Sequence, residues 1–416
     1  MTAAFDPLDP ATLQHPAPHL ARLRADAPIH FIESLNAWFV VRHEHVAEAL
    51  RHPEVFSSQF PKSVLPLSAD DQRRLAEAMA GGLPRPKTMI TADGAVHTRY
   101  RRLVSKAFSP RAIGLLEPTV RAITTKLIDI WIDRDRIEVV EDFAVPLPVE
   151  VIAKALNVPD DRLADFRRWS DATVLTFGAT PTIDERVEAI RTVQELQRFF
   201  VAALEDRRRA PQDDLLTGLL DARIDDDDEE VDDKRPLDVP EMVSLVQELL
   251  VGGNETTTKL IAEMVRLLAG HPERWTELRA NPELIPTLIE ESLRLASPAQ
   301  AMWRLATEDT ELGGVAIPAG SRVVLSYASA NRDEDLFADP DRFDPDRSNL
   351  TDHLAFGRGP HFCIGAGLAR LEARVAFEEL TRRVQSISLP DTNDFPYNPS
   401  FLLRGLVRLD VDIVAA

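Results

Sequence analysis

Apolar residues recur along most of this 416-residue chain at the i, i+3, i+4 spacing that stacks them on one face of an α-helix. The rhythm dominates from Val96 to about Leu220, with breaks near Val145–Pro148 and at Thr180–Pro181. Ahead of it, the apolar runs Ile29–Ile32 and Trp38–Val41 flank the turn-like Glu33–Asn36, which predicts a small hairpin, and Val46–Leu50 reads as helical. Between Ser57 and Asp93 the pattern is irregular: Pro61, Pro66, Pro84, Pro86 and Gly81-Gly82 surround one possible helix near Ala69–Ala80. A long irregular segment inside a compact protein is often functional.

Asp238 and Glu241 stand at capping-box spacing with Pro240 in the first turn, and the helix they open meets no stop before Gly270-His271-Pro272. Roughly 30 residues at 1.5 Å each make about 45 Å, enough to cross the molecule. Met242, Leu245, Val246, Leu249, Leu250, Leu260, Ile261, Met264 and Leu267 keep a buried face. Its centre, Gly252-Gly253-Asn254-Glu255-Thr256-Thr257, is polar. Each glycine costs about 1 kcal/mol against alanine in a helix interior, so the pair needs a reason, and close approach of a ligand is one. Thr256 can compete for the Gly252 carbonyl and open a groove, with Glu255 beside it able to relay protons. A kinked helix with a satisfied polar patch accounts for the same residues without a ligand. A further helix runs through Leu295, short strands flank Gly313-Gly314 and Pro318-Ala319-Gly320, and Val407, Leu409, Val411 and Ile413 alternate as a last strand. The expected fold is mainly α with small β-sheets, α+β in minor part. Even composition without a linker predicts a single domain over 1–416.

Hydrophobic residues make up 44%, enough for a sizeable core. A net charge of −20 argues against nucleic acid as the main partner. The run Asp225–Glu230, with Asp232 and Asp233 after it, reads as a solvated loop. With no basic n-region at the start and no stretch of about 18 apolar residues, the expectation is a cytoplasmic protein that engages no membrane.

Cys363 is the only cysteine, in Phe356-Gly357-Arg358-Gly359-Pro360-His361-Phe362-Cys363-Ile364-Gly365 ahead of a predicted helix. It cannot form an internal disulfide, so its chemistry is that of a thiol or thiolate. The glycines suggest a backbone held close to something flat and bulky, and the following helix directs unpaired amides toward the sulfur. A lone cysteine without such neighbours is ordinarily an inert core residue. Glu291 and Arg294, three apart, share a helix face and can pair; alone, such a spacing usually means a surface ion pair.

In this order and spacing, Phe356-x-x-Gly359-x-His361-x-Cys363-x-Gly365, Gly252-Gly253-x-Glu255-Thr256-Thr257, Glu291-x-x-Arg294 and Pro340-Asp341-Arg342-Phe343 resemble the cytochrome P-450 family of heme-thiolate monooxygenases. The resemblance runs from about Pro7 to Val414, in the form of the soluble bacterial members. It implies the cytochrome P-450 fold, with the long central helix over heme b (iron protoporphyrin IX). Cys363 would be the metal ligand, its electron donation favouring O–O cleavage. His97, Arg101, Arg304 and His361 match propionate contacts, Phe356 would cover the thiolate side, Gly365 would permit close packing beneath the ring, and Gly252 joins the cofactor-binding set. Thr256 and Glu255 would be catalytic, supplying protons, which favours dioxygen and two electrons over peroxide. Arg342 would complete a structural triad with Glu291 and Arg294. Ala92-Asp93-Gly94-Ala95-Val96 departs from the Pro-rich lead that relatives carry into His97.

The implied reaction inserts one oxygen atom into a small or medium hydrophobic molecule, by hydroxylation or oxidative dealkylation. The alternative is a non-catalytic heme-thiolate binding or sensing protein. Phe60–Met89, Val174–Phe177, Val251, Gly252, Ala299–Met302 and Phe401–Leu402 would form the substrate pocket. Glu248, one turn before Gly252, could hold a substrate hydroxyl or amine, or simply be hydrated at the pocket roof. Nothing resembles a flavin or iron–sulfur module, so electrons would come from a ferredoxin with its ferredoxin reductase. Arg99, Arg102, Lys106, Arg358 and Arg370 would offer that acidic partner a basic patch, the alternative being internal ion pairs. A monomer is expected.

Overall fold

The computed structural model describes residues 5–59, 67–178 and 181–416. The stretch 60–66 of the irregular segment and the break at Thr180 lie outside the described residues. In chain order, α1 (Pro10–Gln14) and α2 (Pro16–Asp26) precede β1 (Ile29–Ile32), β2 (Ala37–Val40), α3 (His43–Arg51) and β3 (Phe56–Ser57). Next come α4 (Ala69–Met79), α5 (Gly94–Ser105), α6 (Pro110–Trp131), β4 (Arg136–Glu138) and α7 (Pro146–Ala155). Helices α8 (Leu163–Gly178), α9 (Ile183–Arg209), α10 (Leu215–Asp221) and α11 (Val239–Leu250) follow, and a π turn, Val251–Glu255, leads into α12 (Thr256–Ala269). Then come α13 (Pro272–Ala280), α14 (Ile285–Ala296), β5 (Ala301–Ala306), β6 (Thr310–Leu312), β7 (Val315–Ile317) and β8 (Arg322–Ser326). The chain finishes with α15 (Tyr327–Ala330), α16 (Ala366–Arg383), β9 (Val384–Ser388) and β10 (Asp410–Ala415).

The helices and small sheets form two compact units. The first gathers Met1–Ser57, Leu115–Pro148 and Thr256–Ala416; the second gathers Ser58–Gly114 and Val149–Glu255. Every strand among the described residues belongs to the first unit. Its main sheet has the order β1-β2-β8-β5-β3, with the β1–β2 pair forming the predicted hairpin and β2 running parallel to β8. Val40, Val46, Leu50, Phe56, Val323, Leu325 and Leu354 pack into one apolar cluster around it. Gly313 and Gly314, at φ +55° and +76°, close the β6–β7 hairpin, a turn that needs two left-handed residues. Helix α16 packs on α12 and α14 in the same unit.

One reading of the periodicity is borne out and one corrected. The interruption near Val145–Pro148 falls at the turn residue Val145, after which Pro146 and Pro148 open α7, because a proline in the first turn gives up an amide that has no intrahelical partner. Within the span read as helical, Arg136–Glu138 is a strand that pairs Ile137 with Val411 of β10. Three residues are too few to show alternation.

In the second unit, α9 carries a complete capping box. Thr182 Oγ1 accepts from Glu185 N at 3.3 Å, and Glu185 Oε2 accepts from Thr182 N at 2.7 Å. The same device starts α11, where Glu241 N donates to Asp238 at 2.9 Å and Asp238 N to Glu241 at 2.8 Å. Glu241 also accepts from the Arg99 guanidinium at 3.0 Å, the Tyr100 hydroxyl at 2.9 Å and Arg235 at 2.6 Å. Burial pulls its pKa upward, but Arg235, the Asp238 amide, Tyr100 and Arg99 together outweigh it and hold the carboxyl down at about 2. An unfolded glutamate protonates near its ordinary 4.5. The cluster therefore contributes fully above pH 4.5 and loses its contribution as pH falls toward 2. Glu241→Gln is expected to flatten the pH dependence of stability across that window, measured by denaturant unfolding at a series of pH values.

Candidate functional site

The loop ahead of α16 is built by backbone hydrogen bonds. Gly357 N donates to Leu354 O and Cys363 N to Phe356 O, both at 2.9 Å, and Phe362 N donates to Gly359 O at 3.0 Å. Gly357 and Gly359 take φ of +67° and +71°, and a Cβ on Gly359 would lie 2.5 Å from Leu50 O, so that position admits only glycine. Cys363 is left partly exposed, three residues before the first residue of α16, whose positive dipole end favours negative charge nearby. Gly365 has a different reason, since a Cβ there would make only ordinary contact with Cys363 Sγ at 3.8 Å. Phe356 is flanked by Phe362 and His353, each with ring centroids 6.2 Å away, and by the Arg370 guanidinium 4.6 Å from its own.

Arg304 on β5 is 4% exposed, and no carboxylate pairs with it among the described residues. It donates to Trp303 O at 2.7 Å and hydrogen-bonds the Tyr327 side chain. Tyr327 opens α15, its hydroxyl 3.5 Å from where a Gly357 Cβ would sit. Burial raises the Tyr327 pKa, Arg304 works against that rise, and the Cys363 charge adds to it. The first unit thus brings together Cys363, Phe356 and Gly365 with Arg304, and puts His361 on the adjoining 3-10 turn Gly359–His361. Tyr327 was missed in the sequence because nothing near it forms a motif; its position follows from the register that pairs Ala301 with Ser326.

In the second unit, His97 is buried and Arg101 half-buried one turn later on α5. The unusual lead into this helix resolves as a start at Gly94, φ +57°, with Asp93 as a cap whose carboxylate accepts from Ser58 N at 3.0 and 3.1 Å. In the π turn, Gly253 is tightly packed: a Cβ would lie 3.3 Å from the Ile152 side chain of α7, which would have to shift slightly. Gly252 is not, because a Cβ there would meet nothing within 4 Å. Asn254 Nδ2 donates to Ser170 Oγ at 3.0 Å, so the π turn is fixed against α8, and Glu255 ends it partly exposed. Thr256, also partly exposed, is the first residue of α12.

Three expectations change. The Glu291–Arg294 pair is no surface bridge; both side chains are 0% exposed. Its third member is Arg347, whose Nε donates to Glu291 at 3.2 Å, whereas Arg342 contributes a backbone carbonyl and leaves its side chain exposed. The basic patch is largely neutralised: Arg99 is spent on Glu241, Arg102 on Asp228 and Glu230, and Arg370 on Glu290 through two 2.7 Å bonds. Lys106 and Arg358 keep no ion pair among the described residues. The acidic run, exposed over most of its length, is therefore pinned rather than merely solvated.

The family model described as cytochrome P450 matches residues 170–407. Cytochrome P450 107B1 of Saccharopolyspora erythraea is 36% identical over 398 residues, 94% of this chain and 93% of that protein. The chain belongs to the cytochrome P450 family. Linalool 8-monooxygenase of Pseudomonas putida is 33% identical, covering 97% of each chain. The cytochrome P450 CYP109Q5 structure from Chondromyces apiculatus superposes with a TM-score of 0.87 at 36% identity, covering all of both chains. As a cytochrome P450 monooxygenase, the chain is an oxidoreductase with a heme cofactor, a substrate and a redox partner. The residues of the first unit fit a heme: a partly exposed cysteine before a helix and a buried guanidinium with no acid paired to it among the described residues. No helix among the described residues is long and apolar enough to cross a membrane.

Proposed function

We propose that the chain, acting as a single catalytic domain over 1–416, binds heme b and inserts one oxygen atom from dioxygen into a small or medium hydrophobic molecule. Hydroxylation or oxidative dealkylation would result, on compounds of the apolar kind named in linalool 8-monooxygenase. The observation that carries this reading is Arg304, a buried guanidinium with no acid paired to it among the described residues, linked through Tyr327 to the loop of the only cysteine. Such a cation needs an anion, and a propionate is one.

Held by Cys363, the heme supplies dioxygen activation. In the first unit Cys363 holds the iron, Arg304 and His361 take a propionate, Phe356 shields the sulfur side and Gly365 leaves room beneath the ring. In the second, His97 and Arg101 take a propionate on one helix face, and Gly252 lets the backbone come close. Glu255 and Thr256 would deliver protons, Thr256 through its Oγ1. A ferredoxin with its reductase delivers electrons in the cytoplasm to the monomeric enzyme, with Lys106 and Arg358 as the cations left to meet it.

The test is the carbonyl complex of the reduced protein. A strongly red-shifted Soret band supports thiolate ligation, and its absence overturns the reading. Dioxygen and reductant consumption with a supplied ferredoxin pair then distinguishes a monooxygenase from a sensor. Thr256→Val and Glu255→Gln are expected to keep that band and continue to consume reductant. Product per reductant should fall by at least about 100-fold, the low side of what a positioned proton donor supplies.

A further inference from the structure

Arg370 of α16 meets both an acid and a ring. Its guanidinium lies 4.6 Å from the centre of Phe356 while reaching Glu290 of α14 twice, Nε to Oε1 and Nη2 to Oε2, each at 2.7 Å. Glu290 has a second donor. Ala355 N donates to His353 Nδ1 at 3.2 Å, which leaves the imidazole proton on Nε2, 3.1 Å from Glu290 Oε2. His353 also stands against Phe356, with ring centroids 6.2 Å apart. One carboxylate thus holds two side chains that flank one ring.

All of these residues belong to the first unit, and the ring they flank is tied to the cysteine, because Phe356 O accepts from Cys363 N at 2.9 Å. An exposed ion pair would gain little from such an arrangement. Here the Glu290 side chain is only 14% exposed and that of His353 only 3%. Burial pulls the Glu290 pKa upward, but Arg370 and His353 outweigh it and hold the carboxyl at about 2, so the pair is ionised at neutral pH. The Arg370 pKa is raised chiefly by Glu290, against burial, with a further contribution from the Cys363 charge. A cation on the ring and the anion that balances it therefore stand together beside the cysteine loop.

We propose that Glu290 is a positioning residue acting through Arg370: it fixes the guanidinium on the Phe356 ring and offsets its charge, and the balance of the two charges sets how readily iron held by Cys363 takes an electron. This rests on the heme-thiolate reading above. A positive charge near the sulfur opposes its electron donation and favours the reduced metal, and a negative charge does the reverse.

The test is a spectroelectrochemical titration of the heme-loaded protein and its variants. Glu290→Gln leaves the guanidinium uncompensated and is expected to raise the ferrous-to-ferric ratio at a fixed potential by about 3-fold to 10-fold, tenfold being about 59 mV for one electron. Arg370→Gln should lower that ratio by a similar factor. Arg370→Lys, which keeps the charge without the fork, should fall between Arg370→Gln and the unsubstituted protein. Glu290→Gln combined with Arg370→Gln removes both charges and should return to within about 2-fold of the unsubstituted value, a non-additivity expected of groups in contact. Loosened packing alone would move both single variants the same way and the double variant further. Shifts of one sign in the two single variants, no shift in either, or a double variant displaced as far as the singles overturn the proposal. So does loss of the red-shifted carbonyl band confined to the variants, which would assign the pair to holding the loop. Absence of that band from the unsubstituted protein instead defeats the heme-thiolate reading.

Discussion

Replacing Cys363 with alanine is expected to abolish the red-shifted carbonyl band and oxygen insertion together while leaving helical content unchanged. The fold should tolerate the change because the loop is held by main chain: Cys363 N donates to Phe356 O, and Gly357 and Gly359 set the turns through their own backbone conformation. Cys363 is only partly buried and belongs to no core position. Activity should fall by more than the roughly 10-fold to 100-fold that loss of an outer-shell partner costs at a metal site. Cys363→His is the sharper variant, since imidazole can still ligate iron but lacks the thiolate's electron donation. It should bind heme with the band moved away from the thiolate position. A red-shifted band persisting in either variant would show that Cys363 is not the ligand.

Glu291→Ala is expected to destabilise the protein by about 3–5 kcal/mol, the cost of stripping one partner from a fully buried ion pair. Arg294 donates twice to Glu291, at 2.7 and 2.8 Å, and to the carbonyls of Asn331, Pro340 and Arg342 at 2.9, 2.7 and 3.2 Å. Glu291 in turn accepts from Asp344 N at 2.9 Å and from Arg347 at 3.2 Å. Removing the carboxylate leaves a buried guanidinium uncompensated and frees the segment that carries Asp344 and Arg347. Thermal denaturation should show a midpoint lowered by roughly 3–6 °C. Arg342→Ala is the control, expected within about 0.5 kcal/mol because an exposed side chain is removed and its carbonyl kept. Equal effects at Glu291 and Arg342 would refute the assignment of Arg347 as the third member.

Those two residues also mark how far the chain could be read. The Glu291–Arg294 spacing was legible because three residues along a helix always share a face, whatever the tertiary fold. Their burial was not, nor the choice of Arg347 over Arg342, since both depend on how the segment after Pro340 folds back onto α14. The same division runs through the long helix. Its Asp238–Glu241 cap and its stop near Gly270 are local signals, and the structure places both where the periodicity expects them. That a Cβ on Gly253 would press on Ile152 while one on Gly252 would meet nothing within 4 Å is a fact about α7, about 100 residues earlier in the chain.

By itself the sequence determined the elements whose causes lie within a few residues: the hairpin at Ile29–Val40, the capped helix through Gly252–Thr256, and the glycine-rich turn that presents Cys363. It also determined the family, because those turns and spacings are written contiguously. Only the tertiary structure decided which charges are available. It gave Arg99, Arg102 and Arg370 to carboxylates distant in sequence, bound Glu248 to Thr88, and left Arg304 without an acid among the described residues. The physical reason is that a helix turn or a φ angle is a local property, whereas an ion pair forms wherever folding brings two groups within about 4 Å.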